Sequence, residues 1–144
     1  MRSGESRSTE WRQLQLTRLD TLINENEKEI LNSLNTDLKK PPTEAFFEII
    51  ALKQELRLAK ENLNKWKKAK QIQIPISLKP GQAFSQPEPL GCILIIGPWN
   101  YPFSLTLQPL VGALAAGNTA VLKPSEHAPN VSILIKKLIE KYFQ

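Results

Sequence analysis

Residues 91–122 carry no charged side chain, in a chain of 144 residues of which 23% are charged. An uncharged run of that length has two outlets, a lipid bilayer or a protein interior. A spanning helix needs about 20 predominantly apolar residues in succession. Pro98, Trp99, Asn100, Tyr101 and Pro102, and then Gln108 and Pro109, cut the run into shorter pieces. No transmembrane segment is expected, and the run reads as protein interior. Most of the 19 Lys/Arg and 14 Asp/Glu fall within residues 1–86, so a polar first part precedes an apolar second part.

The apolar part resolves into alternating elements. Cys92-Ile-Leu-Ile-Ile is continuously apolar and rich in β-branched residues, the pattern of a strand buried on both faces in a parallel sheet. Residues 97–102 form a tight turn. Residues 103–116 suit a buried helix, with Leu107, Leu110, Val111 and Leu114 on one stripe. Gly112, Ala113, Ala115 and Ala116 are expected to allow close packing there. Gly117 is a natural helix stop. Asn118-Thr-Ala-Val-Leu is a second strand, and Lys123-Pro-Ser-Glu-His the next strand-to-helix turn. Residues 129–143 form a last helix that buries Val131, Leu134, Ile135, Leu138 and Tyr142. The order β-α-β-α defines an α/β chain, the first half of a doubly wound, Rossmann-like parallel sheet.

Residues 11–38 show helical periodicity, with Leu19, Leu22, Ile23, Ile30, Leu31, Leu34 and Leu38 on one stripe. Pro41 and Pro42 end this element. Thr43 can cap a second helix that buries Phe46, Ile49, Ile50, Leu56, Ala59, Leu63 and Trp66 and runs to about residue 71. The two helices form an αα-hairpin. Gln71-Ile-Gln-Ile-Pro-Ile-Ser-Leu alternates as a half-exposed strand, and Pro75 places it at an edge. Residues 82–90 read as an extended linker. The division expected is a helical hairpin at 1–70, a strand and linker at 71–87, and the half-sheet at 88–144.

Composition narrows the function. One cysteine and one histidine exclude an internal disulfide framework, a multi-cysteine zinc cluster and a His-pair metal site, so no metal is expected. The first residues lack the apolar core of a signal peptide, and a cytoplasmic location is expected. The net charge of +5 is a weak pointer to anionic partners. The basic run Lys65-Trp-Lys-Lys-Ala-Lys is read as a solvated helix end, where cations suit the dipole, rather than as a nucleic-acid or membrane contact. Cys92 is read as a small core hydrophobe, and His127 as a surface loop residue.

Ligands of open parallel sheets bind at the carboxyl ends of the strands. The turns at 97–102 and 123–127 lie there. Neither contains a G-x-G-x-x-G or G-x-x-x-x-G-K-[ST] phosphate loop. On pattern alone Asn100 is either a cap for the following helix or a side-chain amide offered to a ligand. Lys123 and Glu126 are either solvated charges or ligand contacts, and Trp99 either packs in the core or touches a ligand.

Glu88-Pro-Leu-Gly, Ile95-Ile-Gly-Pro-Trp-Asn-Tyr-Pro, Leu107-Gln-Pro-Leu-Val-Gly-Ala-Leu-Ala-Ala-Gly-Asn and Val121-Leu-Lys-Pro-Ser-Glu occur in that order. Together they resemble the aldehyde dehydrogenase superfamily, in its class-3, fatty-aldehyde-like branch. Asp37-Leu-Lys-Lys and residues 44–48 fit the same branch more loosely. The resemblance implies oxidation of a small-molecule aldehyde to a carboxylic acid through a cysteine thioester, with NAD or NADP as cofactor. It implies that Asn100 is the oxyanion donor, that Lys123 and Glu126 hold the adenosine ribose, and that Ile96, Pro98 and Trp99 line the cofactor channel. Residues 71–86 then match part of an oligomerisation element, and the parent enzyme is expected to be a homo-oligomer, a dimer. The family's cysteine, glutamate base and catalytic domain lie further along than this chain extends. The chain therefore reads as an N-terminal portion, inactive and aggregation-prone alone. The alternative is a non-catalytic stand-alone piece that pairs with a complementary half or an intact subunit.

Overall fold

A computed structural model describes residues 4–143; positions 1–3 and 144 of the expected division lie outside the described residues. Helices α1 (Thr9–Glu25), α2 (Glu27–Leu38) and α3 (Pro42–Trp66) come first. A two-stranded ribbon follows, β1 (Lys70–Ile72) and β2 (Ala83–Ser85). The remainder is β3 (Cys92–Ile96), α4 (Ser104–Ala115), β4 (Thr119–Lys123) and α5 (Pro129–Tyr142). β3 and β4 pair in parallel, Cys92 opposite Thr119 through Ile96 opposite Lys123. The expected order of a helical N-terminal part followed by β-α-β-α is the one observed.

The helical part departs from the expectation in detail. The first helix is broken at Asn26, whose backbone leaves the helical region (φ −122°, ψ 20°). Its side-chain amide donates to Leu22 O at 2.7 Å and to Tyr142 Oη at 2.9 Å, tying the break to α5. Thr43 is not the cap of α3. The helix starts one residue earlier at Pro42, whose missing N–H would have lacked a helical partner anyway. Phe46 and Trp66 are exposed and Ile50 is half-buried, whereas Ile49, Leu56, Ala59 and Leu63 are buried as expected.

The strand expected over 71–78 is cut short. β1 ends at Ile72, and Ile76–Leu78 forms a 3-10 turn. Pro75 supplies no N–H for a ladder. The expected linker at 82–90 contains β2, which pairs antiparallel with β1, Gln71 opposite Phe84.

β3 is not buried on both faces. Ile95 is buried and Ile93 half-buried against the helices, while Leu94 and Ile96 are exposed. Pairing in register puts Val121 on the same open face, and it too is exposed. Cys92 lies on that face and is exposed, so it is not a core residue. A strand alternates its side chains, and here only one face has helices against it. Gly112 is also exposed, with nothing within 4 Å of where a Cβ would stand, so it serves no close packing. The stripe of Leu107, Leu110, Val111 and Leu114 is buried. Val131, Leu134, Ile135 and Leu138 of α5 are buried, and Tyr142 is half-buried.

The polar helical part also supplies the ends of the C-terminal helices. Asp37 accepts from the backbone N–H groups of Asn130 and Val131 at 3.2 and 2.9 Å, capping the start of α5. Glu48 accepts from the N–H groups of Phe103 and Ser104, capping the start of α4. Arg12 donates to Ala115 O at 3.4 Å, at the end of α4. Acids at helix N-termini and a cation at a C-terminus match the helix dipole.

Candidate functional site

The two turns at the carboxyl ends of β3 and β4 are fixed to one another. Gly97 N–H donates to Lys123 O at 3.0 Å. Gly97 is buried, and a Cβ there would stand 1.9 Å from Thr106 Oγ1. Only glycine lets the chain turn this close to the first turn of α4. Beyond it the backbone runs outward, and Pro98, Trp99 and Asn100 are all exposed.

Asn100 is not the cap of α4; the residue before that helix is Phe103, and the capping carboxylate is Glu48. Instead Asn100 lies in a cleft of about 300 Å³, with Leu38, Lys39, Lys40, Pro41, Glu44, Trp99 and Tyr101. Trp99 is 57% exposed and does not pack in the core. Ile96, at the end of β3 on the open face, is 66% exposed. A larger cavity of about 540 Å³ lies away from these turns, beside β4 and between α1, α4 and α5, and it holds none of the expected site residues.

Lys123 and Glu126 are joined by a short ion-paired hydrogen bond, and both side chains are more than half exposed. The Lys123 ammonium, by that bond first, holds the Glu126 carboxyl below the usual glutamate range, helped by a backbone hydrogen bond. A lowered carboxyl value favours the folded pairing at neutral pH, and that preference is lost as pH falls through the lowered value. His127 is exposed, and its N–H donates to Ser125 Oγ. In the basic run, Trp66 is exposed and Lys67 Nζ donates to Thr9 Oγ1 at 2.5 Å.

The structure thus places Ile96 at the end of β3, Pro98, Trp99 and Asn100 on the turn that follows it, and Lys123 and Glu126 at the neighbouring turn. Sequence reasoning missed Lys40 and Glu48 beneath the first turn, and Glu44 and Lys39 on its cleft. The only signal was a motif, Asp37-Leu-Lys-Lys, with acids at 44 and 48 a few residues on. Among the described residues, no group of three His, Cys, Asp or Glu side chains could hold a metal ion. No helix among them is long and apolar enough to cross a membrane.

A parallel β-α-β-α unit with two exposed, mutually bonded turns at its strand carboxyl ends belongs to the Rossmann-like class of α/β domains. The comparisons narrow the class: the aldehyde dehydrogenase family model matches residues 3–142, and the chain belongs to that family. It is 43% identical over 142 residues to aldehyde dehydrogenase family 3 member A2 of Mus musculus, covering 98% of this chain and 29% of that protein. The solved structure of the substrate-bound state of Staphylococcus aureus AldH superposes with a TM-score of 0.97 at 40% identity, over 99% of this chain and 31% of that one. The glyceraldehyde-3-phosphate dehydrogenase GapN of Methanocaldococcus jannaschii, solved in complex with NADP, is 28% identical with a TM-score of 0.75, over 92% of this chain and 29% of that one. The chain spans about 30% of the length of the relatives it matches.

Proposed function

We propose that this chain forms the oxyanion donor and part of the NAD(P) site of an aldehyde dehydrogenase acting on a small-molecule aldehyde. The observation that carries the reading is the placement of Asn100 and of the Lys123–Glu126 pair on adjoining turns, in a chain of this family. The residues suit a dinucleotide. A carboxylate accepts from two vicinal hydroxyls, and Lys123 adds a donor beside it. Ile96 at the end of β3 and Pro98 and Trp99 on the turn after it offer exposed apolar surface beside the pair. When bound, the cofactor supplies the hydride acceptor.

In this reading the thiolate comes from the length of the relatives that this chain does not span, because Cys92 sits on the open face of β3. Attack of that thiolate turns the aldehyde oxygen into an alkoxide. The Asn100 side-chain amide donates a hydrogen bond to it, and a fixed neutral donor of this kind lowers a barrier by about 3–4 kcal/mol. Hydride then departs, and water releases the acid from the thioester. Residues 71–87 serve as part of a homodimeric contact, residues 88–144 as the first half of the cofactor domain, and the location is cytoplasmic. The stand-alone reading, a non-catalytic piece seeking its complementary half, is favoured by one observation, the open apolar face of β3 and β4.

The test is cofactor saturation in the protein carrying this chain. Glu126→Gln and Lys123→Met are expected to raise the cofactor KM while leaving that of the aldehyde unchanged. Identical cofactor KM values in wild type and both variants would contradict the assignment of this turn. No aldehyde-dependent NAD(P)H formation at all would leave the stand-alone reading in its place.

A further inference from the structure

Asn100 is exposed, so its position depends on what holds the turn beneath it. We propose that the buried Lys40–Glu48 pair is the positioning device of that turn, an inference that rests on the reading of Asn100 as the oxyanion donor. Glu48 is 1% exposed, deep under the start of α4. Its Oε2 accepts from Phe103 N–H at 3.1 Å and Ser104 N–H at 2.9 Å. Its Oε1 accepts from Lys40 Nζ at 2.8 Å. Lys40 is buried as well, and its ammonium lies 3.8 Å from the centre of the Tyr101 ring.

The two groups therefore hold both sides of a short segment. Tyr101, next to Asn100, is held through its ring by the Lys40 cation. Phe103 and Ser104 are held through their amides by the Glu48 carboxylate. Each group also fixes the other, and Lys40 lines the same cleft as Asn100. A buried ion pair seldom adds much net stability over an apolar pair of like volume, so geometry is the better account of its presence. Neither residue touches the reacting atoms in this scheme; both act through the turn.

The experiment compares wild type with Lys40→Met, Glu48→Gln and Lys40→Arg in the protein carrying this chain. One readout is amide hydrogen exchange. In Glu48→Gln, exchange at Phe103 and Ser104 is expected to rise about 5- to 10-fold, the loss of roughly one hydrogen bond's worth of protection, while Leu19 and Ile23 in α1 stay as they were. The second readout is kinetic, per active site. In Lys40→Met and Glu48→Gln, kcat and kcat/KM are expected to fall together, towards the about 100-fold cost of a misplacement near 1 Å. Lys40→Arg, which keeps the cation, is expected to recover most of the loss. The third is the side-chain amide resonance of Asn100, expected to shift in both neutral variants. Should either single variant not fold, the double variant Lys40→Met with Glu48→Gln, which leaves no unpaired buried charge, carries the kinetic and resonance readouts. An unmoved Asn100 resonance, or kcat per active site unchanged in Lys40→Met, would overturn the proposal. If the wild type turns over no aldehyde, the functional reading fails while the exchange and the resonance still decide what the pair positions.

Discussion

Gly97 is buried beneath the outward turn and closes against Thr106, whose Oγ1 donates to Pro102 O at 2.6 Å. A methyl group at Gly97 would meet Thr106 Oγ1 at 1.9 Å and the Thr106 Cβ at 3.0 Å. Gly97→Ala must therefore displace either the Asn100 turn or the first turn of α4. The expected cost is about 1–3 kcal/mol of overpacking, read as a lower urea midpoint, and Gly97→Ala with Thr106→Ala should recover part of it. An unchanged midpoint in the single variant would show that the contact yields freely. Gly97 and Gly117 were legible as breaks because glycine beside apolar runs marks a turn; Gly117 does adopt the left-handed φ of +83°. The capping roles of Arg12, Asp37 and Glu48 were not legible, because their partners lie 103, 93 and 55 residues away; the motif around Asp37 and the acids at 44 and 48 marked the region without saying what it holds.

At the scale of elements, the helical hairpin is the frame on which the two crossover helices are mounted. α5 begins at Pro129 after Ala128, with no cap of its own; Asp37 supplies it from the end of α2. Asp37→Ala is expected to destabilise the fold by about 0.5–2 kcal/mol. It should raise hydrogen exchange at Asn130 and Val131 above that at Leu56 and Leu63 in α3. Equal changes in both helices would show that Asp37 acts on overall stability and not as a cap. The break at Asn26 was not legible, since the apolar stripe runs through it in phase. It is explained by the tertiary bonds of the Asn26 amide to Leu22 O and Tyr142 Oη. The β1–β2 ribbon was half legible. Alternation marked its first strand, but β2 is three residues long, with Ala83 half-buried and Phe84 and Ser85 exposed, too brief a pattern to register.

Across the whole molecule, one face of the β3–β4 sheet packs on helices and the other shows Leu94, Ile96 and Val121 to solvent. Sequence pattern alone expected burial on both faces, and that is what a strand of this composition suits. The discrepancy is a surface that water should not see. Self-association of the chain is expected to weaken in Leu94→Lys, measured by sedimentation velocity across a concentration series; an unchanged distribution would place the association elsewhere. The α/β order and the two turns at the carboxyl ends of β3 and β4 were legible because strand, turn and helix signals are local. The Lys40–Glu48 support was not, since it is made between elements. The central claim is that the exposed turn after β3 presents Asn100 to a developing oxyanion. The measurement that bears on it most directly is steady-state aldehyde oxidation by Asn100→Ala beside wild type, in the protein carrying this chain. The account predicts a fall in kcat of about 100-fold or more with the cofactor KM unchanged; a kcat close to that of wild type would contradict it.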